Sequence, residues 1–121
     1  MYYLKGTNYW ECISTPSAEV VAAYPSGTIE VAKRPSEDYD YTDGAWVKNT
    51  TREQARLYAE LRMERNTRLQ YDVDPIVSNA LRWDELSSSK KTEWQTYRSE
   101  LLDLPANTPD PSNITWPTKP S

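Results

Sequence analysis

The feature of the sequence that most constrains the fold is a stripe of large side chains near its C-terminal end. Trp94, Tyr97, Arg98 and Leu101 stand at positions i, i+3, i+4 and i+7, which places them on one face of a helix. Serines at 87–89 offer a cap before this stripe. Because a proline interrupts the helical hydrogen bonds, we expect the helix to run from residue 88 to 102 and to end at Pro105.

A second long helix is predicted from Thr51 to about Gln70, after a capping box over residues 50–53. Arg62 and Arg65 lie inside its broad apolar sector. An arginine there needs a carboxylate or an interface, so salt bridges and partner contacts are both open interpretations; the candidate carboxylates are Asp84, Glu85 and Asp103. The apolar sector comprises Ala55, Leu57, Tyr58, Ala59, Leu61 and Leu69.

The two long helices are expected to pack as a helical hairpin over residues 50–104, with a short helix at 76–83 between them. The interface would use the leucines at 57, 61 and 69. In this interpretation the Trp94–Leu101 stripe is mainly core. Two helices alone leave an apolar rim, however, which a partner could cover.

Residues 1–49 predict a small β-rich module. Short apolar or alternating stretches indicate strands at 2–4, 9–13 and 28–33, and a hairpin arm at 45–47 after the turn signal Asp43-Gly44. Pro16-Ser17 offers the start of a short helix over residues 18–24. The expected fold class is therefore α+β.

Five prolines fall within residues 105–121, at 105, 109, 111, 117 and 120. This composition predicts an extended C-terminal tail that is not a domain of its own. Its large apolar residues are Ile114 and Trp116, and the simplest role for Trp116 is to hold the tail against the helices. The expected division is thus 1–49, 50–104 and 105–121.

The composition favours a protein that works through contact with another molecule. Apolar residues make up 37% of the chain, Phe is absent, and the aromatic residues are five Trp and nine Tyr. Trp and Tyr suit interfaces better than dry cores. A net charge of −4 makes nucleic acid a poor partner. No stretch approaches the roughly 20 apolar residues that cross a membrane. The single cysteine, Cys12, is predicted to be a buried thiol in a reducing cytoplasm.

Catalytic and metal-binding patterns are not evident in the sequence. The chain has no histidine, which excludes His-dependent nucleophilic catalysis and His-bearing zinc sites. The acidic stretch 37–44 fits the calcium-loop spacing poorly, so we interpret it as a solvated turn before the hairpin. We expect no cofactor, no metal and no enzymatic activity. The aromatic residues would also suit a platform for carbohydrate, which is a separate hypothesis.

A resemblance to a known family rests on four motifs in order. They are Arg62-x-x-Arg65-Asn66, then Leu81-Arg82-Trp83-x-x-Leu86, then Trp94-x-x-Tyr97-Arg98-x-x-Leu101-Leu102-Asp103-Leu104-Pro105, then Trp116-Pro117-x-x-Pro120. Together they resemble the tail-fibre assembly and tail-assembly-chaperone-like proteins of tailed bacteriophages. One departure is at residues 106–111, where many relatives carry a glutamine–glycine–aromatic stretch.

This resemblance implies binding without catalysis. The implied partner is a phage tail fibre or baseplate protein, which the chain would bind in the bacterial cytoplasm during assembly. If the fibre is a trimer, this protein could also act as a homo-oligomer. The candidate contact residues are Trp94, Tyr97, Arg98, Leu101, Trp116, Arg62 and Arg65. The alternatives are a permanent structural component of the tail or baseplate, retained in the virion, and a carbohydrate-binding protein.

Overall fold

Two small antiparallel sheets and one short helix occupy the N-terminal part of the chain. In the computed structural model, which describes all 121 residues, these elements form one unit, Met1–Thr50. The elements are β1 (Tyr2–Lys5), β2 (Asn8–Glu11), α1 (Ala18–Ala22), β3 (Ile29–Val31), β4 (Tyr39–Thr42) and β5 (Ala45–Lys48). The first sheet has the strand order β2-β1-β3, and the second is a hairpin of β4 and β5.

The β4–β5 hairpin turns on Asp43 and Gly44, with φ angles of 52° and 81°. Two consecutive positive φ angles match the twist of the flanking strands, so the predicted turn is confirmed. The interpretation of residues 37–44 as a solvated turn is wrong in part, since β4 begins at Tyr39. Within β4, the half-buried Tyr39 and Tyr41 alternate with the exposed Asp40 and Thr42, which is the pattern of a half-buried strand.

The strand predicted over residues 9–13 ends earlier, at Glu11. Ile13 is fully exposed. The prediction of a buried thiol is also wrong, because Cys12 is half-buried with its Sγ atom 3.2 Å from the Tyr24 hydroxyl oxygen. Tyr24 itself packs edge-on against Tyr3 and Trp10. Aromatic rings therefore provide much of the apolar packing in this small unit.

The second unit, Thr51–Ser121, is helical. Its elements are α2 (Thr50–Arg68), a π-helical segment (Leu69–Val73), α3 (Asp74–Val77), α4 (Ala80–Asp84) and α5 (Ser88–Asn107). Strands in one unit and helices in the other confirm the α+β class. α5 begins where predicted, with the Ser87 side chain accepting a hydrogen bond from the Lys90 backbone N–H at 3.2 Å.

The chain from α2 through the π-helical segment runs antiparallel to α5, as three contacts show. The Tyr58 hydroxyl donates at 2.6 Å to the carbonyl of Thr108, the residue that follows α5. One Arg65 guanidinium nitrogen donates to the Leu102 carbonyl at 3.4 Å. The Tyr97 hydroxyl donates to the Asp72 carboxylate at 3.3 Å. As residue numbers rise along α2, their partners' numbers fall, which is the geometry of a helical hairpin.

The connection between these helices differs from the single short helix predicted over residues 76–83. α2 continues directly into the π-helical segment, where the Asp74 backbone N–H donates to the Leu69 carbonyl. Pro75 has no N–H to donate to the Tyr71 carbonyl, so one α-helical hydrogen bond is missing at this point. Asn79 then caps a separate α4 by accepting a hydrogen bond from the Arg82 backbone N–H at 3.2 Å.

The prediction that Pro105 ends the last helix is wrong, since α5 continues to Asn107. The proline removes one backbone hydrogen bond within the final turns. The Thr108 hydroxyl donates to the Leu104 carbonyl at 2.7 Å and so satisfies a group at the helix end. Residues 108–121, called the C-terminal segment below, contain no helix or strand, and a turn stands at Asp110–Asn113.

Candidate functional site

The predicted aromatic stripe forms the core of the helical unit. Trp94, Tyr97 and Leu101 are only 6%, 2% and 0% exposed, and they cluster with Val73 from the π-helical segment. Half-buried residues surround this cluster, namely Leu69, Ile76, Val77, Trp83, Leu86 and Trp116. The prediction that the stripe is mainly core is therefore confirmed for these three side chains. Arg98, which stands on the same stripe, is exposed.

The C-terminal segment lies along the hairpin in the direction of α2. It starts beside Tyr58, passes Arg68 at Trp116, and reaches Asp72 at Lys119. The Arg68 guanidinium lies 4.0 Å from the centre of the Trp116 ring and pairs with Glu64 at 3.1 Å. A half-buried cation held over an indole face is a strong form of cation–π contact. Trp116 thus holds the segment to α2.

A polar cluster around Asp72 joins the segment to the core. The Tyr97 hydroxyl donates to one carboxylate oxygen of Asp72, and the Lys119 ammonium lies 3.4 Å from the other. Burial, together with the Asp72 carboxylate, raises the pKa of Tyr97 above its ordinary value. Tyr97 is therefore a neutral hydrogen-bond donor at physiological pH.

Two grooves remain between α5 and the C-terminal segment. The first, of 330 Å³, lies beside Trp116 and has Glu100 and Leu104 on its α5 side. The second, of 520 Å³, lies toward the chain end beside Lys119 and has Glu93, Thr96 and Glu100 on its α5 side. The segment thus covers this side of α5 without filling it, and the α5 surface that remains there is acidic.

The three predicted arginines differ in burial and in their contacts. Arg65 is half-buried and reaches the Leu102 carbonyl, whereas Arg62 and Arg98 are exposed. The Arg62 guanidinium lies 5.7 Å from the Tyr58 ring centre. None of the three pairs with a carboxylate, so the salt bridges considered from the sequence are not formed. The charges of Arg62 and Arg98 therefore face solvent without a carboxylate partner, whereas Arg65 donates to two neutral oxygens, the Leu102 carbonyl and Oδ1 of Asn66.

Sequence reasoning missed Arg68 and Asp72, which anchor the C-terminal segment. The spacing Glu64–Arg68 is a recognisable i,i+4 ion pair. This signal could have singled out Arg68 as an ordered side chain. Asp72 carried no such signal, because its role depends on the π-helical segment.

No group of three or more His, Cys, Asp or Glu side chains is placed to hold a metal ion. None of the helices combines the length and apolar character needed to span a bilayer.

Comparison with known proteins gives one match. The family described as phage tail assembly chaperone protein matches residues 58–121, which run from the Tyr58 contact with the C-terminal segment to the chain end. No curated protein and no solved structure matches the chain. The family match covers more than half of the sequence and most of the helical unit. The chain belongs to the phage tail assembly chaperone family.

Proposed function

We propose that this protein binds a tail fibre or another tail component of a bacteriophage and assists its folding or assembly, without catalysis. Family membership supports a role in tail assembly. The observation that carries the choice of surface is that Arg62 and Arg98 are exposed and have no carboxylate partner. Arginine is among the residues that concentrate binding energy at protein interfaces.

The candidate residues then divide into two roles. We assign direct contact with the partner to Arg62, Arg65 and Arg98, and to the accessible edge of Trp116. The buried residues of the stripe, Trp94, Tyr97 and Leu101, position α5 and the C-terminal segment from within the core. In this conformation their side chains have almost no surface to offer a partner.

The experiment is capture of the full-length tagged chain from bacteria during phage assembly, followed by cross-linking and mass spectrometry. The supporting result is a fibre or tail protein, identified by sequence, cross-linked within residues 58–121. Lysates that yield no tail protein above a tag-only control, at every stage of assembly, would overturn the proposal. The site of action expected from this function is the host cytoplasm.

A measurement on virions tests the alternative that the protein is a permanent component of the tail. Purified virions are digested, and this chain is quantified against a known tail protein. Stoichiometric amounts would mean that the protein remains in the tail as a structural adaptor. Absence from virions, together with capture of the tail component from the lysate, would mean that it binds during assembly and departs.

A further inference from the structure

Acidic side chains of the helical hairpin either pair with a neighbouring cation or line the grooves along α5. On α5, Glu93 pairs with Lys90 at 2.9 Å, and Glu100 and Asp103 line a groove; Arg98 stands one turn before Leu102. On α2, Glu60 and Glu64 pair with Arg56 and Arg68. These acidic side chains are thus neutralised by neighbouring cations or line a groove.

Three arginines that have no carboxylate partner form, together with Leu102, a surface made by Arg62, Arg65, Arg98 and Leu102 and called the arginine surface below. Arg65 contacts the Leu102 carbonyl, which fixes these two residues at the α2–α5 seam. Arg98 is four residues before Leu102, and Arg62 is three before Arg65, so helical periodicity brings both to the same side. The Leu102 side chain is 41% exposed at this surface.

We infer that the arginine surface binds an acidic segment of the partner, with an apolar side chain of that segment covering Leu102. The inference rests on the proposed function and specifies its partner's chemistry. Three guanidinium groups without a carboxylate partner give this surface a positive charge, in a chain whose net charge is −4. Carboxylates match the planar donor geometry of arginine, often by two parallel hydrogen bonds.

Electrostatic complementarity also determines where the acidic segment binds and how its affinity depends on salt. The carboxylates of Glu100 and Asp103 on α5 would repel the same segment, so this segment is directed to the arginine surface. Charge pairs at an interface also speed association and lose strength as salt rises. Affinity should therefore fall steeply with ionic strength, unlike that of an interface held by apolar contact alone.

The probe is a labelled peptide with two aspartates, two glutamates and a central leucine, compared with its asparagine and glutamine counterpart. Isotope-labelled full-length protein is titrated with each peptide, and the arginine side-chain N–H signals are followed by NMR. The acidic peptide should shift the signals of Arg62, Arg65 and Arg98 and bind at least about tenfold more tightly than its amide counterpart. Equal affinity, shifts elsewhere, or no shift at millimolar peptide would overturn the inference.

Charge reversal provides the second measurement. The double variant Arg62→Glu/Arg98→Glu should lose the acidic peptide and weaken capture of the tail component by at least about tenfold. Arg82→Glu, an exposed charge reversal on α4, is the matched control and should bind as the wild type does. Because the altered side chains are exposed, circular dichroism melting should confirm that all variants fold.

The outcomes separate this inference from the proposed function. A tail component captured equally by the wild type and the double variant would exclude the arginine surface and leave the function standing. No tail component captured by either would remove the function, whatever the peptide does.

Discussion

The Arg68 guanidinium lies 4.0 Å from the centre of the Trp116 ring, so a helix residue and a residue of the C-terminal segment share one packed contact. Glu64 pairs with the same guanidinium and orients it. Arginine stacks on an indole better than lysine does, because its charged group is planar and weakly hydrated. The contact therefore determines how firmly the C-terminal segment is held.

Replacing Trp116 by alanine should release the C-terminal segment and lower the free energy of unfolding by about 1–3 kcal/mol, through lost apolar burial and the lost cation–π contact. Urea unfolding measures the stability, and amide hydrogen exchange over residues 109–121 measures the release. Tyr71→Ala removes a ring that is largely exposed and is the control. Unchanged exchange in the Trp116 variant would show that other contacts hold the segment.

Arg68→Lys tests the planar stack separately from the charge. Lysine can keep an ion pair with Glu64 but cannot stack a flat cation on Trp116. We expect partial release of the segment, intermediate between wild type and Trp116→Ala, by the same exchange measurement. Exchange identical to that of the wild type would mean that charge alone suffices.

The buried Tyr97 hydroxyl should make the helical unit sensitive to alkaline pH. Burial and the Asp72 carboxylate raise the folded-state pKa of Tyr97 above its unfolded value of about 10. A raised pKa means that the folded state holds the proton more tightly than the unfolded state. The stabilisation is complete below pH of about 10 and is lost as the pH rises through the folded pKa.

Tyr97→Phe removes this titration while keeping the ring. The variant should lose about 0.5–1.5 kcal/mol at neutral pH, because the hydrogen bond to Asp72 is gone. Its stability should then fall less steeply than that of the wild type above pH of about 10. Urea midpoints measured from pH 7 to 11 check both effects, and parallel curves for the two proteins would contradict the assignment to Tyr97.

The long helices could be predicted because their signals are local and periodic. Ser87 caps α5, and the Trp94–Leu101 spacing defines one face, so existence and start follow from neighbouring residues. The end of α5 could not be predicted, because a proline such as Pro105 normally ends a helix. Whether a helix passes a proline depends on tertiary contacts that no local pattern contains.

The candidate site shows the same limit. Spacing alone placed Trp94, Tyr97, Arg98 and Leu101 on one face, but burial separates the three core residues from the exposed arginine. The π-helical segment after Arg68 shifts the register of the residues that follow it, so Asp72 could not be assigned to the core or to the C-terminal segment. Its two contacts, to Tyr97 and Lys119, are long-range pairings.

In the N-terminal unit, the Trp46 indole N–H donates to the Ala32 carbonyl at 2.7 Å and so links the β4–β5 hairpin to the chain after β3. Trp46→Phe keeps an aromatic ring against Tyr9 and Tyr41 but removes the donor. We expect a loss of about 0.5–1.5 kcal/mol, measured by urea unfolding. Tyr41→Phe, which preserves the ring contact, should cost less; an equal or larger cost would mean that the indole bond is not what matters.

Adjacent leucines on α5 offer a test of which side of the helix is core. Leu101 is fully buried in the cluster with Trp94 and Tyr97, whereas Leu102 is 41% exposed. Leu101→Ala leaves a cavity and should cost about 2–5 kcal/mol, while Leu102→Ala should cost well under half of that. The same helix propensity changes in both variants, so the difference measures packing alone. Equal unfolding costs at the two positions would contradict the packing of α5 described above. If the arginine surface binds its partner as inferred, Leu102→Ala should also weaken capture of the tail component, although its stability is nearly unchanged.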